Sequence, residues 1–329
     1  MHTVLLSSDD VKKLLTMRDA IDVVEKAFRE KGMGRVEMPP KSYVFFEEYG
    51  GDFRTMPAYI EALGAAGVKV VNVHPGNKRR GLPTVMAVIV LLDPRTGYPV
   101  AMMDGTFITN VRTGASGVIA AKYLARRDSG VVGMVGSGTQ ARFQLMALVE
   151  HFRIDEVRVW SKHHRCAERY VHEMGERLGL NVRAFSKIED VVMGADIVVT
   201  TTPSRSPLVK CEWISKGTHI NAIGADAPGK QELDPEILRK SRLVVDDMEQ
   251  AVHSGEVNVP ISRGEIGREH IYAELGEIVC GKKEGRISED EVTVFDSTGL
   301  AIQDISTAAL VYRRAVKRGM GRKFNILSL

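Results

Sequence analysis

The sequence predicts an α/β protein in two parts: a doubly wound parallel sheet and, ahead of it, an α+β part with a mostly antiparallel sheet. Three observations carry this reading. Strand-like stretches follow one another without helices over the first hundred residues or so. From about Ile108 strands and helices alternate, the pattern of a parallel sheet covered on both faces. One of these later strands runs into a glycine-rich turn that opens a helix.

The elements follow in chain order. Thr16 ahead of Ile21, Val24, Ala27 and Phe28 reads as the cap of an amphipathic helix ending near Gly32. Ser42–Phe46, Val68–Val73, Val85–Leu92 and Pro99–Met103 read as strands, separated by glycine, proline and acidic turns. Ile108–Ala125, rich in small residues, reads as a helix. Then come strand Val131–Val135, helix Gln140–His151, strand Val157–Trp160 and helix Cys166–Leu178. Val182–Phe185 and Ile197–Thr201 are strands flanking a short helix, Ile188–Met193, and His219–Ile223, Leu243–Asp246 and Thr293–Phe295 are further strands. Ile302–Arg318 closes the chain as a helix expected to pack back on the first part.

Composition narrows the function. With 329 residues and 44% hydrophobic content, the chain has the size and apolar content for two domains with proper cores. A net charge of +3, with basic residues scattered and no aromatic stacking motif, argues against nucleic acid. Cys166, Cys211 and Cys280 lie too far apart for a metal cluster or a disulfide framework, so reduced thiols and no metal are expected. The longest apolar run, Val85–Leu92, is far short of the roughly 20 residues a membrane helix needs. Polar Ser7-Ser8-Asp9-Asp10 follows the first few residues, unlike an export signal, and a cytoplasmic protein is expected.

The sharpest motif follows the strand Val131–Val135. In Gly136-x-Gly138-x-x-Ala141, Gly136 permits the tight turn and Gly138 lets a pyrophosphate approach the backbone. Ala141 keeps the helix close to the sheet, and the helix N-terminus offers free N–H groups to the phosphates. This is a Rossmann-like dinucleotide site. The next strand ends at Trp160, about 20 residues on, where NAD-binding proteins carry an acid for the ribose. Here Ser161-Lys162-His163-His164-Arg165 offers no carboxylate. NADP is therefore preferred and NAD is the alternative; a solvated basic turn is the plain reading of the same residues.

Four cations suggest a pocket for a small acid. Lys69 interrupts an apolar strand and needs either an anionic partner or an edge position facing water. Lys41 follows Pro39-Pro40, Arg54 lies in Asp52–Pro57, and Arg112, near a helix start, carries a guanidinium suited to grip a carboxylate or phosphate bidentately. Asp226 follows a strand in a Gly/Pro-rich loop, where it is either an acid–base group or a local backbone cap. A second glycine loop, Phe295–Leu300, also follows a strand and suits the nicotinamide end.

Taken together, Met38–Lys41, Gly67–Lys69, Leu82–Met86, Val111–Ala115, Gly136–Ala141, Asn221–Asp226 and Val294–Ser297 resemble the ornithine cyclodeaminase/μ-crystallin family, in order along nearly the whole chain. Asp52–Ala58, Thr200–Arg205 and Gly224–Asp226 are most similar to its archaeal alanine dehydrogenase branch. The resemblance implies a homodimer joined through the first domain's sheet, with residues 1–112 and 303–329 forming the substrate and dimerisation domain. The Rossmann domain, 113–302, is then an insertion. It implies Lys69 and Asp226 beside the reacting carbon and Lys41, Arg54, Lys69 and Arg112 around a small amino or keto acid. Cofactor neighbours would be Thr84, Arg112, Gly136, Gly138, Thr139, Gln140, Ala141, Ser161, Lys162, Thr202, Asn221, Ile223, Gly224, Lys230 and Ser297. The implied reaction is oxidative deamination of L-alanine, with ornithine cyclisation, ketimine reduction and non-catalytic NADPH binding as alternatives. Arg54 stands where ornithine cyclodeaminases carry a carboxylate, and Ser161 where NAD-binding members carry an aspartate.

Overall fold

The computed structural model describes residues 2–327, apart from the side chain of Lys78. The chain divides into two compact units, one formed by residues up to 112 together with those from 300 on, the other by 113–299. The division falls inside the helix Thr106–Leu124 and just before the helix Ala301–Arg318.

In the first unit the strands are β1 (Thr3–Leu6), β2 (Val36–Glu37), β3 (Ser42–Phe46), β4 (Gly51–Ile60), β5 (Ala65–Val73), β6 (Val85–Leu92) and β7 (Pro99–Asp104). They form one sheet in the order β1-β7-β6-β5-β4-β2, with β3 also on β4 and the strand Arg322–Phe324 beside β1. Every pairing is antiparallel except β1 with β7. The sequence reading did not single out β1 or β4. The ten residues of β4 carry Asp52, Arg54 and Pro57, yet Arg54, Met56, Ala58 and Ile60 alternate inward at the strand period. The apolar stripe of Ala301–Arg318 covers β4, β5 and β6 and packs on the helix Met17–Gly32. Thr16 caps that second helix through a reciprocal box with Asp19, and Arg314 reaches the same Asp19 carboxylate at 2.6 Å.

The second unit holds β8 (Val131–Val135), β9 (Glu156–Trp160), β10 (Val182–Ala184), β11 (Ile197–Thr200), β12 (Arg205–Val209), β13 (His219–Ala222), β14 (Gln231–Leu233), β15 (Arg242–Val245), β16 (Ile271–Glu274) and β17 (Thr293–Asp296). Eight of them make a wholly parallel sheet in the order β10-β9-β8-β11-β13-β17-β15-β16, while β12 pairs with β14 apart from it. Helices follow β8 and β9, and the central strands are buried along almost their whole length, as strands covered on both faces must be. Strand order reverses between β8 and β11. In open α/β sheets the crevice at such a reversal, beyond the carboxyl ends of the strands, is where ligands bind. Among the described residues no helix is long and apolar enough to cross a membrane, and no group of three His, Cys, Asp or Glu is placed to hold a metal ion.

Candidate active site

Lys69 sits on a central strand, paired with Met56 of β4 on one side and Ile89 of β6 on the other, which removes the edge-strand alternative. Its side chain is 1% exposed and points to the face covered by Ala301–Arg318. That helix comes close enough that a Cβ on Gly67 would lie 3.2 Å from Ile305. Lys69 Nζ lies 2.6 Å from Asp304 Oδ2 and 3.4 Å from Thr109 Oγ1. Arg112 holds the other oxygen of the same carboxylate, Nε to Oδ1 at 2.9 Å, while its Nη1 donates to Gln303 Oε1 at 2.6 Å. Burial pushes the Lys69 ammonium down to about 7; the positive charges of Arg112 and Lys41 push the same way and Asp304 opposes them. Lys41 is also buried.

Arg54 is buried but engaged: Asp52 takes its Nε at 2.8 Å and its Nη2 at 3.3 Å, and the guanidinium lies over the Tyr43 ring at 5.0 Å. It enters the structure as half of an ion pair, not as a bare cation. Thr84 is half-buried, and its carbonyl accepts the His74 N–H at 2.8 Å.

Asp304 and Gln303 were missed from sequence. Both are fully buried in the stripe formed by Ala301, Ile305, Ala308, Val311 and Ala315. An acid at a core position of an amphipathic helix was the available signal, because such a group demands a cationic partner.

In the second unit the glycine turn is shaped by backbone. Gly136 has φ +113°, and a Cβ there would lie 2.6 Å from Thr201 Oγ1, so both torsion and space require glycine. Gly138 precedes the helix Thr139–Leu148 in extended geometry, with no side chain capping the helix start and open space where its Cβ would be. Thr139 is exposed, Gln140 half-buried, and Ala141 fully buried against the sheet. Such a turn fits an anionic pyrophosphate. Arg142, also missed from sequence, braces it: Nη1 donates to the carbonyls of Ser137 at 2.6 Å and Gly138 at 3.0 Å. Glu173 holds that guanidinium in a bidentate pair at 2.9 and 2.7 Å. At the end of β9, Ser161 is half-buried and Lys162 through Arg165 are exposed.

The remaining expected cofactor neighbours lie beyond the carboxyl ends of β11, β13 and β17 or at their last turns. Thr202 and Gly224 donate their backbone N–H groups to the Glu232 carboxylate at 2.6 and 2.9 Å. Ile223 is buried, its N–H on the Thr200 carbonyl. The Asn221 amide is spent inside the protein, donating to the Gly117 carbonyl at 3.1 Å and facing His219 Nε2 at 3.0 Å. Burial pushes that histidine down to about 3, so it is neutral and structural. Asp226 is 37% exposed and accepts from Lys230 at 2.5 Å, so these two expected site residues pair with each other. Ser297 is buried, and among the described residues its hydroxyl has no hydrogen-bond partner, a position that suits a polar group of a ligand.

These features can be set against known proteins. Residues 1–319 match the model of the ornithine cyclodeaminase/mu-crystallin family. The chain belongs to that family. It is 50% identical to the alanine dehydrogenase of Archaeoglobus fulgidus over 329 residues, the full length of both chains. Among solved structures it is similar to an archaeal alanine dehydrogenase dimer with bound NAD, with a TM-score of 0.96 and 50% identity, covering 99% of this chain and 100% of that one. It is also similar to the Thermococcus litoralis Δ1-pyrroline-2-carboxylate reductase in complex with NADH and L-proline, with a TM-score of 0.95 and 42% identity, covering 97% and 99% of the two chains.

Proposed function

We propose that this family member catalyses the reversible, nicotinamide-dependent oxidative deamination of L-alanine to pyruvate and ammonia. The observation that carries the proposal is the buried cluster of the first unit. Lys69 and Arg112 share one carboxylate, Asp304, and the charge of Lys41 adds to theirs, so the neighbourhood is net positive and suits a small acid. With Nε and Nη1 of Arg112 committed to Asp304 and Gln303, Nη2 is the nitrogen that remains for a substrate carboxylate. Lys69, in its charged form, donates to the carboxylate or to the carbonyl oxygen of pyruvate. Arg54, held by Asp52, completes the set of cations on the anion-binding side.

A dinucleotide held at the Gly136–Ala141 turn, with Thr139, Gln140, Thr202, Ile223, Gly224 and Ser297 as neighbours, would supply the hydride acceptor. Loss of hydride from the α-carbon leaves an iminium; water adds, ammonia departs and pyruvate remains. Asp226 takes the proton from the attacking water and returns it to the leaving amine, with Lys230 holding its carboxylate in place. Clamping the substrate carboxylate lowers the barrier by positioning the α-carbon.

NADP is the preferred form in this reading, because Ser161 and the Lys162–Arg165 turn place cations and no carboxylate at the end of β9. The protein acts as a homodimer. The outward face of the first unit's sheet leaves Val44, Phe45, Val70, Val88 and Met102 more than a third exposed, and a second copy would cover them. A cytoplasmic location goes with the three free cysteines.

A second reading, reduction of cyclic ketimines, is favoured by the likeness to the pyrroline-carboxylate reductase. One assay separates the readings: NADPH or NADH absorbance is followed with pyruvate plus ammonium, with Δ1-pyrroline-2-carboxylate in parallel and with ornithine scored for proline. Consumption with pyruvate and ammonium, and no proline from ornithine, is expected. Turnover of the cyclic imine alone would replace alanine dehydrogenation by ketimine reduction.

A further inference from the structure

Four carboxylates are fully buried in the second unit, at Glu232, Asp246, Glu256 and Asp296. None of them belongs to the reaction proposed above. Asp246 accepts from the N–H groups of Thr298 and Gly299, both at 2.7 Å, and so fixes the loop after β17. The other three make a ladder. Glu232, in the middle of β14, accepts from Thr202 with one oxygen and from Gly224 with the other. Its own N–H and that of Leu233 donate to Glu256 at 2.8 and 2.6 Å. Val257, the next residue, donates its N–H to Asp296 Oδ2 at 3.2 Å, at the end of β17.

The Glu232 carboxylate joins two neighbouring loops that the sheet itself leaves unjoined. β11 and β13 are paired as far as Thr200 and Ala222, and the backbone N–H groups just beyond would otherwise need separate partners. The fit is close: a Cβ on Gly224 would lie 2.4 Å from Glu232 Oε2 and 2.3 Å from the Thr202 carbonyl. Burying an ionised carboxylate against N–H donors is costly, and stability alone does not favour it. Burial raises both glutamates, Glu232 to about 7 and Glu256 well above the usual carboxylate range, where the charge of Glu232 adds to the burial. Both Glu232 oxygens accept from backbone N–H groups, an arrangement that favours the ionised form.

We infer that Glu232 is a positioning residue for cofactor binding: its carboxylate fixes the loops after β11 and β13, and with them Thr202, Gly224 and Asp226, to receive the nicotinamide end of the dinucleotide. This rests on the reading of those loops as cofactor neighbours given under Proposed function. Glu232→Gln keeps the size and one acceptor but turns an NH2 group toward the second N–H. That loop is thereby released, while the glycine turn after β8, which binds the adenosine diphosphate half, is untouched.

The test is direct titration of the full-length protein, without substrate, using NADPH, NADH and ADP-ribose as probes and fluorescence as the readout. For Glu232→Gln the dissociation constant of the dinucleotide bound by the wild type is expected to rise at least tenfold, and that of ADP-ribose to stay within twofold. Glu256→Gln, whose Oε1 can still accept the N–H groups of Glu232 and Leu233, is expected to change neither. Glu232→Asp keeps the charge but is one methylene short; it is expected to show a smaller loss with the same selectivity, and it serves if the glutamine variant does not fold. Equal losses for dinucleotide and ADP-ribose, or no loss for either, would overturn the inference. So would wild-type protein that binds neither dinucleotide. Failure of the wild type to turn over alanine would overturn the proposed reaction and leave this binding result standing.

Discussion

The two halves of the proposed machinery are built in opposite ways. In the first unit the chemistry belongs to side chains brought from far apart: Arg112 and Asp304, 192 residues distant in sequence, meet at 2.9 Å with Lys69 on the other oxygen. In the second unit the dinucleotide turn is local backbone, with Gly136, Gly138 and the helix start lying within a few residues. A side-chain cluster is tunable, because its charges set one another's protonation, but it fails when any member is lost. A backbone turn is insensitive to most substitutions and fails only where torsion or space demands glycine.

The largest effect that would break this contrast is in catalysis. Lys69→Ala and Asp226→Asn are each expected to lower kcat by about 10²–10⁴-fold, the first through loss of a charged donor on the substrate and the second through loss of a positioned acid–base group. Dinucleotide affinity, read by fluorescence titration, should stay within about threefold. Normal rates in either variant would remove that residue from the reaction.

Next comes the cluster's own dependence on its anion. Asp304→Asn leaves Lys69 and Arg112 buried against each other, and urea denaturation should show a loss of about 3–5 kcal/mol. The same variant sharpens the charge argument. Lys69 has its folded pKa depressed from 10.5 to about 7. Its contribution to stability is therefore full above 10.5 and lost as pH falls through 7. Because its cationic form grips the carboxylate, pyruvate binding measured by calorimetry should weaken as pH rises through about 7. Asp304 raises that pKa, so its removal should move the weakening to lower pH; a shift upward would contradict the assignment.

A smaller effect tests the backbone half. Gly136→Ala forces a side chain into φ +113°, at a cost of about 1–3 kcal/mol, and dinucleotide affinity should fall by roughly 5- to 150-fold. Ala substituted at Gly138, which has open space around it and an extended φ, should cost less in the free protein than in the complex. The smallest change concerns cofactor choice. Ser161→Asp places a carboxylate at the end of β9 and should shift the ratio of kcat/KM for NADPH over NADH by about tenfold toward NADH. An unchanged ratio would show that the basic turn is only a solvated surface.

The frame is written in the order of residues: alternation of strands and helices after residue 108, the glycine turn at 136–141, and the cations that the structure buries. These were legible because periodicity, turn chemistry and a lysine in an apolar strand are local signals. β4 escaped notice because Asp52, Arg54 and Pro57 mask an alternation that only pairing with β3 and β5 makes plain. Tertiary structure alone decided what each charge faces. Asp304 for Lys69 and Arg112, Asp52 for Arg54, Lys230 for Asp226, and two backbone N–H groups for Glu232 are contacts made on folding. The physical reason is that a buried charge takes its pKa and its role from whatever the chain packs within a few ångströms of it, and most of those neighbours are far away in sequence.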